Sequence, residues 1–354
     1  MPISSSDIPV PRIISWNTTF QCNLNCHHCY LNAKEHRSRE ELSTPEGKKL
    51  MDQISEVSRP VLVLSGGEPL LREDIWKLAS YGTEKGLRVA LGTNGTLIDD
   101  AVAEKILKSG IRRVAISIDS STPEIHDKIR GVPGAWEKAV SGVKSCIKHG
   151  IGVQFNTTVT VENCHDIPEI IKMADNLGIR DMHIFFLVPT GRGQKIKDIT
   201  AEMYEALILN LLTTYNPEGM NVKPTCAPQF MRIAEQHGLD TSMWHRGCIA
   251  GINYCRIYPD GSVTPCPYLP INLGNVLETN FREIWQDNTV LQRLRNPDNL
   301  KGRCGICEYK TTCGGCRARA YGLTSDLPLC GLQKPQEMKG DYLAEDPWCP
   351  YQPQ

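Results

Sequence analysis

The sequence has no surplus of charge: 39 Lys and Arg stand against 40 Asp and Glu, a formal net charge of −1. A chain so balanced has no basic field with which to hold nucleic acid or an anionic membrane surface. It also lacks any apolar run near the roughly 18 residues that span a bilayer. The opening MPISSSDIPVPRIIS has neither the basic nor the apolar region of a secretory signal. The expected location is therefore cytoplasmic. Low-complexity tracts and polar linkers are missing, so the parts of the chain should pack closely. Its 354 residues, 40% of them hydrophobic, suffice for a large core and about two or three domains.

Cysteine, by contrast, is abundant. Fifteen cysteines in a reducing compartment are not expected to form disulfides, and an odd number cannot pair completely, which leaves metal or redox chemistry. QCNLNCHHCY carries three of them, Cys22, Cys26 and Cys29, one thiolate short of a closed site. In a four-iron cluster each iron wants one outside ligand, so three thiolates leave one iron open to another molecule. A zinc site or buried structural thiols are the plain alternatives.

Short apolar or β-branched runs recur as IISWNTT (13–19), VLVLS (61–65), LRVALG (87–92), RVAISI (113–118), IGVQFNTTV (151–159) and MHIFFLV (182–188). Each reads as a strand. Helical periods lie between them. Leu50, Ile54 and Val57 recur after Thr44 and Pro45, a cap and first-turn proline; Val102, Ile106 and Ser109 follow Asp99; Ile167, Ile170, Ile171 and Ala174 follow Asp166. Gly86, Gly110, Gly150 and Gly178 fall where helices should end, and residues 200–214 read as a sixth helix. Such alternation implies parallel strands with right-handed crossovers: an α/β fold, a partial (β/α)6 TIM-like barrel, with a doubly wound sheet as the alternative. Either would place its chemistry at the strand C-termini, where the cysteine trio falls. From about residue 218 Pro, Gly and Cys rise and long periods fade. Residues 1–217 are expected to form the barrel and 218–354 a cysteine-rich domain.

The CxxxCxxC spacing, with LSGGEPLL after the second strand, resembles the radical S-adenosylmethionine (SAM) enzymes. That resemblance implies a 4Fe-4S cluster on Cys22, Cys26 and Cys29 whose open iron chelates the amino and carboxylate groups of SAM. An electron then breaks the sulfonium bond to give a 5′-deoxyadenosyl radical. It further implies SAM contacts from His28, Ser65, Gly66, Gly67, Glu68 and Asn94, and from Leu187. Glu68 would accept from the methionyl ammonium, Ser117 and Asp119 would meet the ribose, Asn156 the methionyl end and Arg130 the SAM carboxylate. Capping or surface roles are the alternatives for these last four.

Eight cysteines gather toward the C-terminus: Cys248, Cys255 and Cys266, then Cys304, Cys307, Cys313 and Cys316, then Cys349. Eight thiolates close two four-iron clusters. Paired CxxC motifs also suggest zinc, but zinc ribbons space the pairs by about 15 to 20 residues, and only five separate Cys307 from Cys313. The array resembles the SPASM extension of radical SAM enzymes. By that resemblance Cys248, Cys255, Cys266 and Cys316 hold one auxiliary cluster and Cys304, Cys307, Cys313 and Cys349 another, making three clusters in all. Cys313 and Cys316 stand one residue closer than is usual there, and Cys330 rivals Cys349, so the pairings stay open. Cys146 and Cys164 read as small buried side chains.

HIFFLVPTGRG, VKPTCAPQFMRI, CGGCRARAYG and GDYLAEDPWC resemble the SAM-dependent haem synthases within this family, with 325–339 as an insertion. The resemblance implies oxidative decarboxylation of two propionates of iron-coproporphyrin III to vinyl groups, forming haem b. Its partners would be the iron-porphyrin substrate and a low-potential electron donor such as ferredoxin or flavodoxin, with no nucleic acid and no membrane. Buried propionates need cations. Arg192 and Arg232 are expected to hold them, and Cys226, flanked by Lys223 and Arg232, or else His237, to approach the porphyrin iron. Surface salt bridges and a buried thiol are the alternatives. Rival reactions are didecarboxysiroheme deacetylation and maturation of a tungstopterin cofactor or a ribosomal peptide. Only about twenty residues precede Cys22, little room for the winged helix common in peptide maturases. A simple electron carrier would not need GGEP beside an open trio.

Overall fold

A computed structural model describes residues 8–34, 40–215, 217–325, 332 and 339–354. Cys330 lies outside the described residues. The strands are β1 (Ile13–Asn17), β2 (Val61–Ser65), β3 (Arg88–Thr93), β4 (Arg113–Ser117), β5 (Gly152–Val159), β6 (Asp181–Phe186), β7 (Asn221–Thr225), β8 (Tyr254–Ile257), β9 (Ser262–Thr264) and β10 (Gly274–Asn275). They form one sheet in the order β10-β9-β8-β1-β2-β3-β4-β5-β6-β7. From β8 through β7 neighbours are parallel, and β9 and β10 close that edge antiparallel. The sheet curls into a barrel that stays partial.

Helices return the chain between successive parallel strands: α1 (Thr44–Val57), α2 (Ile75–Glu84), α3 (Asp100–Lys108), α4 (Pro123–Arg130), α5 (Ala135–Lys148), α6 (Ile167–Asn176) and α7 (Ala201–Thr213). Beyond them come α8 (Phe230–Gln236), α9 (Phe281–Asp287), α10 (Thr289–Arg295), α11 (Gly302–Ile306) and α12 (Arg317–Leu323). No helix among the described residues is long and apolar enough to cross a membrane.

The six strands read from the sequence are β1 to β6. Two more join them from beyond residue 217, β7 beside β6 and β8 beside β1. β7 tolerates Pro224 because it is an edge strand, where a missing N–H costs no ladder bond. The helix-end glycines Gly86, Gly110, Gly150 and Gly178 all take positive φ. The cap of α1 needs correction: Ser43 caps it through a capping box with Glu46, whereas the Thr44 hydroxyl turns to Asp74. Asp99 caps α3 as expected, accepting from Val102 N at 2.8 Å. The Asp166 carboxylate instead reaches across to Ser121 N at 2.7 Å.

Alternation along the strands divides two environments. Ile14, Trp16, Leu62, Leu64, Leu91, Val114, Ile116, Phe155, Met182 and Ile184 lie fully buried under the helices. The opposite face carries Val63, Ser65, Ala90, Ala115, Ser117, Asn156, His183 and Phe185, all half-buried. This interior is open where a complete TIM barrel would be filled with side chains.

Candidate SAM and iron-sulfur centre

The loop after β1 carries the trio, and the loop after β2 is zipped to it. Thr18 N donates to Ser65 O at 2.7 Å, Gly67 N to Thr19 O at 2.8 Å and Glu68 N to Gln21 O at 2.7 Å. A Cβ on Gly67 would stand 2.1 Å from Gln21 O, so only glycine permits the approach. Glu68 follows, fully buried, its carboxylate accepting from Thr93 Oγ1 at 2.8 Å, Leu70 N at 3.1 Å and Asn94 N at 2.8 Å. Both oxygens are thus engaged. Glu68 thereby braces the β2 and β3 loops, and three donors leave one of a carboxylate's roughly four lone-pair sites for the expected ammonium. Asn94 extends the brace, donating to Asn23 Oδ1 at 2.8 Å.

The trio sits in an apolar collar of Phe20, Leu24, Leu31, Ala33, Ala135 and Tyr258. Burial pushes the Cys22 thiol up to about 12, and the neighbouring charges of Glu68, Cys26 and Cys29 add to it. Cys26 is raised by burial too, against the opposing charge of Arg130, whose Nη1 lies 3.7 Å from its Sγ. Arg130 also holds Asp119 at 2.7 Å; burial pushes Asp119 up, but that guanidinium keeps it below the usual carboxylate range. The pair is buried beside the trio. Burial lowers His28 to about 4, leaving a neutral ring whose Nδ1 is buried without a partner. That orphaned atom and the bare Nε of Arg130 fit a polar group bound against this loop.

Strand register aligns Ser117, Asn156, His183 and Lys223 side by side on the interior face. Two expected SAM contacts thereby meet two residues that motif reading left out of the SAM site. Leu187 is buried just past β6, and its carbonyl accepts from Arg319 Nη2 at 2.8 Å.

The expected substrate residues are placed otherwise. Arg192 clamps the trio's loop, donating from Nε to Cys26 O at 2.8 Å and from Nη1 to Ala33 O at 2.9 Å. Arg232 pairs with Glu205 at 2.5 Å and lies over the Tyr351 ring, beside the C-terminal cysteines and away from the barrel mouth. His237 ends α8 on the surface. Arg192 thus spends Nε and Nη1 on backbone carbonyls, whereas both terminal nitrogens of Arg232 are taken by Glu205 and Gln236.

Cys304, Cys307, Cys313 and Cys349 line one small cavity of about 30 Å³ together with Arg232 and Asp346. This is the complete ligand set implied for the second auxiliary cluster. The Cys304 Sγ accepts from Asp346 N at 3.4 Å and Arg317 Nη2 at 3.5 Å, donors that favour a sulfur carrying negative charge. Of the first set, Cys248 donates its N–H to Cys313 O at 3.1 Å, which sets it beside the run that ends in Cys316. Cys255 is a correction: it shares the outer face of the sheet with Ile14, buried in the hydrophobic core. Among the described residues no three His, Cys, Asp or Glu side chains close around a single ion. A cubane takes its thiolates at separate iron corners and needs no such point.

Sequence reading missed the arginines that hold these parts together. Arg319, 1% exposed, donates to Cys226 O at 2.7 Å and to Leu187 O at 2.8 Å. Arg256 binds Asn17, Tyr30 and Tyr254, with no carboxylate partner among the described residues. Tyr30, next to Cys29, meets Tyr268 edge-on at 5.4 Å, so the trio and the Cys266 region share a wall. Each arginine stood beside a cysteine motif, in YCRI and CGGCRARAYG, but only packing shows what it grips.

Thiols this deeply buried are costly as thiolates unless a cation sits among them, and iron supplies one. Fold and site therefore define a class, the iron-sulfur enzymes built on an open parallel barrel. Within it the chain belongs to the radical SAM superfamily, whose model matches residues 16–207; an iron-sulfur cluster-binding domain model, SPASM, matches 248–317. Its cofactors are accordingly a SAM-binding 4Fe-4S cluster and auxiliary iron-sulfur clusters. The chain is 41% identical, over 97% of both chains, to the AdoMet-dependent heme synthase of Methanosarcina barkeri. It is 34% identical to the Fe-coproporphyrin III synthase of the same organism, over 91% of this chain and 88% of that one. Its fold matches the crystal structure of Streptococcus suis SuiB bound to S-adenosylmethionine with a TM-score of 0.74 at 18% identity, covering 97% of this chain and 78% of that one.

Proposed function

We propose that the chain is a SAM-dependent haem synthase, converting two propionates of iron-coproporphyrin III to vinyl groups. The observation that carries this reading is a cavity with four thiols at its wall, in a chain whose open barrel already gathers an incomplete trio at its mouth. Oxidative decarboxylation needs both. Taking a hydrogen atom from the propionate carbon next to the ring leaves a carbon radical. Loss of carbon dioxide then completes the double bond only if one electron departs. When bound, the open cluster delivers an electron to SAM and a closed cluster accepts the one that leaves.

The chain's own residues shape the rest. Residues 1–217 hold SAM and 218–354 handle the departing electron, with β7 and β8 joining the two parts in one sheet. Lys223 is a candidate cation for a propionate: it is half-buried on the interior face beside His183 and in no ion pair among the described residues. A low-potential donor such as ferredoxin or flavodoxin would reduce the open cluster, and the reducing cytoplasm suits so many thiols. With dithionite, SAM and iron-coproporphyrin III under anaerobic conditions, the protein should release two carbon dioxide per haem formed. Turnover of didecarboxysiroheme but not of iron-coproporphyrin III would assign the deacetylase reaction instead.

A further inference from the structure

Four thiolates must surround the first auxiliary cluster, yet the cysteine that spacing assigns as its fourth faces the wrong way. Cys255 pairs in register with Ile14 and so points, like Trp16, to the outer side of the sheet. It is fully buried there in the hydrophobic core. Burial raises its thiol, against the lowering charges of Arg295 and Arg256.

Cys226 is placed quite differently. It follows β7 with a φ of +57°, a left-handed conformation uncommon outside glycine that persists only where the surroundings fix it. Its carbonyl is fixed by Arg319 Nη1 at 2.7 Å and Tyr204 OH at 3.2 Å. Arg319 belongs to α12, which Cys316 caps, so this contact ties the Cys226 turn to Cys316. A third segment crosses both. A Cβ on Gly247 would stand 2.5 Å from Pro228 O and 2.9 Å from Cys313 O, and Cys248 N donates to Cys313 O at 3.1 Å.

We infer that Cys226, with Cys248, Cys266 and Cys316, forms the ligand set of the first auxiliary cluster, and that Cys255 is a core residue. This removes Cys226 from the porphyrin iron and makes the turn after β7 part of the cluster cage. Chain order then runs 226, 248, 266 and 316, a ligand from the barrel's edge strand joining three from the cysteine-rich extension. The inference rests on the reading that residues 218–354 hold two four-iron clusters.

Iron and acid-labile sulfide per chain, with electron paramagnetic resonance of the dithionite-reduced protein, test it in anaerobically reconstituted wild type, Cys226→Ala, Cys226→Asp and Cys255→Val. Wild type should hold about twelve irons, three cubanes of four. Cys226→Ala should lose up to about a third of them, or keep a three-iron remnant, by the same arithmetic. Cys226→Asp, which restores a ligand, should recover iron with a shifted spectrum. Cys255→Val should be iron-replete with an unchanged spectrum. If the Ala variant does not fold, the Cys255→Val result still decides. Loss of a third of the iron in Cys255→Val, or a full complement and unchanged spectrum in Cys226→Ala, overturns the assignment. Wild-type protein carrying stoichiometric zinc and about four irons overturns the two-cluster reading and the assignment with it.

Discussion

Glu68 is wholly buried with three donors and no cation against it. Burial pushes its carboxyl from 4.5 up to about 7, despite the lowering effect of those donors. The folded protein then holds a proton that the unfolded chain gives up. The stabilising contribution is whole below about 4.5 and disappears as pH rises through about 7, a loss of at most about 3.5 kcal/mol at about 1.4 kcal/mol per unit. The melting temperature of wild type should therefore fall between about pH 5 and pH 8 relative to Glu68→Gln, which cannot titrate. Parallel pH profiles for the two proteins would assign the dependence to other groups. Arg192 makes a separate test at this scale. Its two carbonyl contacts hold the trio's loop, so Arg192→Ala should lower 5′-deoxyadenosine formation and trio-bound iron together. Weaker porphyrin binding with SAM cleavage intact would return Arg192 to the substrate.

The edge strand β7 brings Lys223 into register with His183, Asn156 and Ser117. Burial lowers the Lys223 ammonium, and a propionate beside it would reverse that. Lys223→Met should weaken iron-coproporphyrin III binding at least about tenfold, roughly 1.4 kcal/mol, while SAM cleavage without substrate continues; a binding titration and a deoxyadenosine assay separate the two. Lys223 stood in VKPTCAPQFMRI, but its strand was not legible: β7 is short, contains Pro224, and depends on β6 for its extended shape. β8 was hidden for a related reason. YCRI has too few residues to show a period, and its cysteine drew the eye as a ligand. A strand inverts the meaning of neighbouring positions, so Cys255 turns to the core while Arg256 turns inward to Asn17 and Tyr30. β1 to β6 were legible because each carries its own alternation or apolar run between helix signals. The trio and GGEP were legible for the opposite reason, being local motifs whose spacing is their chemistry. Cys226 was not, since its partners lie 22, 40 and 90 residues away in sequence, and only the fold brings them together.

Across the whole molecule, the proposed reaction has electrons enter at one set of cysteines and leave by another. The trio lies at the barrel mouth, and Cys304, Cys307, Cys313 and Cys349 line a separate cavity whose wall includes Arg232, itself paired with Glu205. Such separation lets SAM cleavage and disposal of the substrate electron be uncoupled. Cys349→Ala should remove one ligand of the second auxiliary cluster and leave the trio intact. Deoxyadenosine formation should then continue at a rate near that of wild type, while haem formation falls at least about tenfold, about 1.4 kcal/mol of lost transition-state stabilisation. The ratio of deoxyadenosine to carbon dioxide, near one in wild type if each hydrogen abstraction ends in one decarboxylation, should rise in the variant in proportion to the lost haem. Chromatography of the porphyrins should show substrate with both propionates, or with one vinyl group, accumulating. A Cys349→Ala protein that lacks the cluster by iron analysis and yet keeps the ratio near one would show that the electron leaves by another route. The first auxiliary cluster, sharing the Tyr30–Tyr268 wall with the trio, would then be the acceptor.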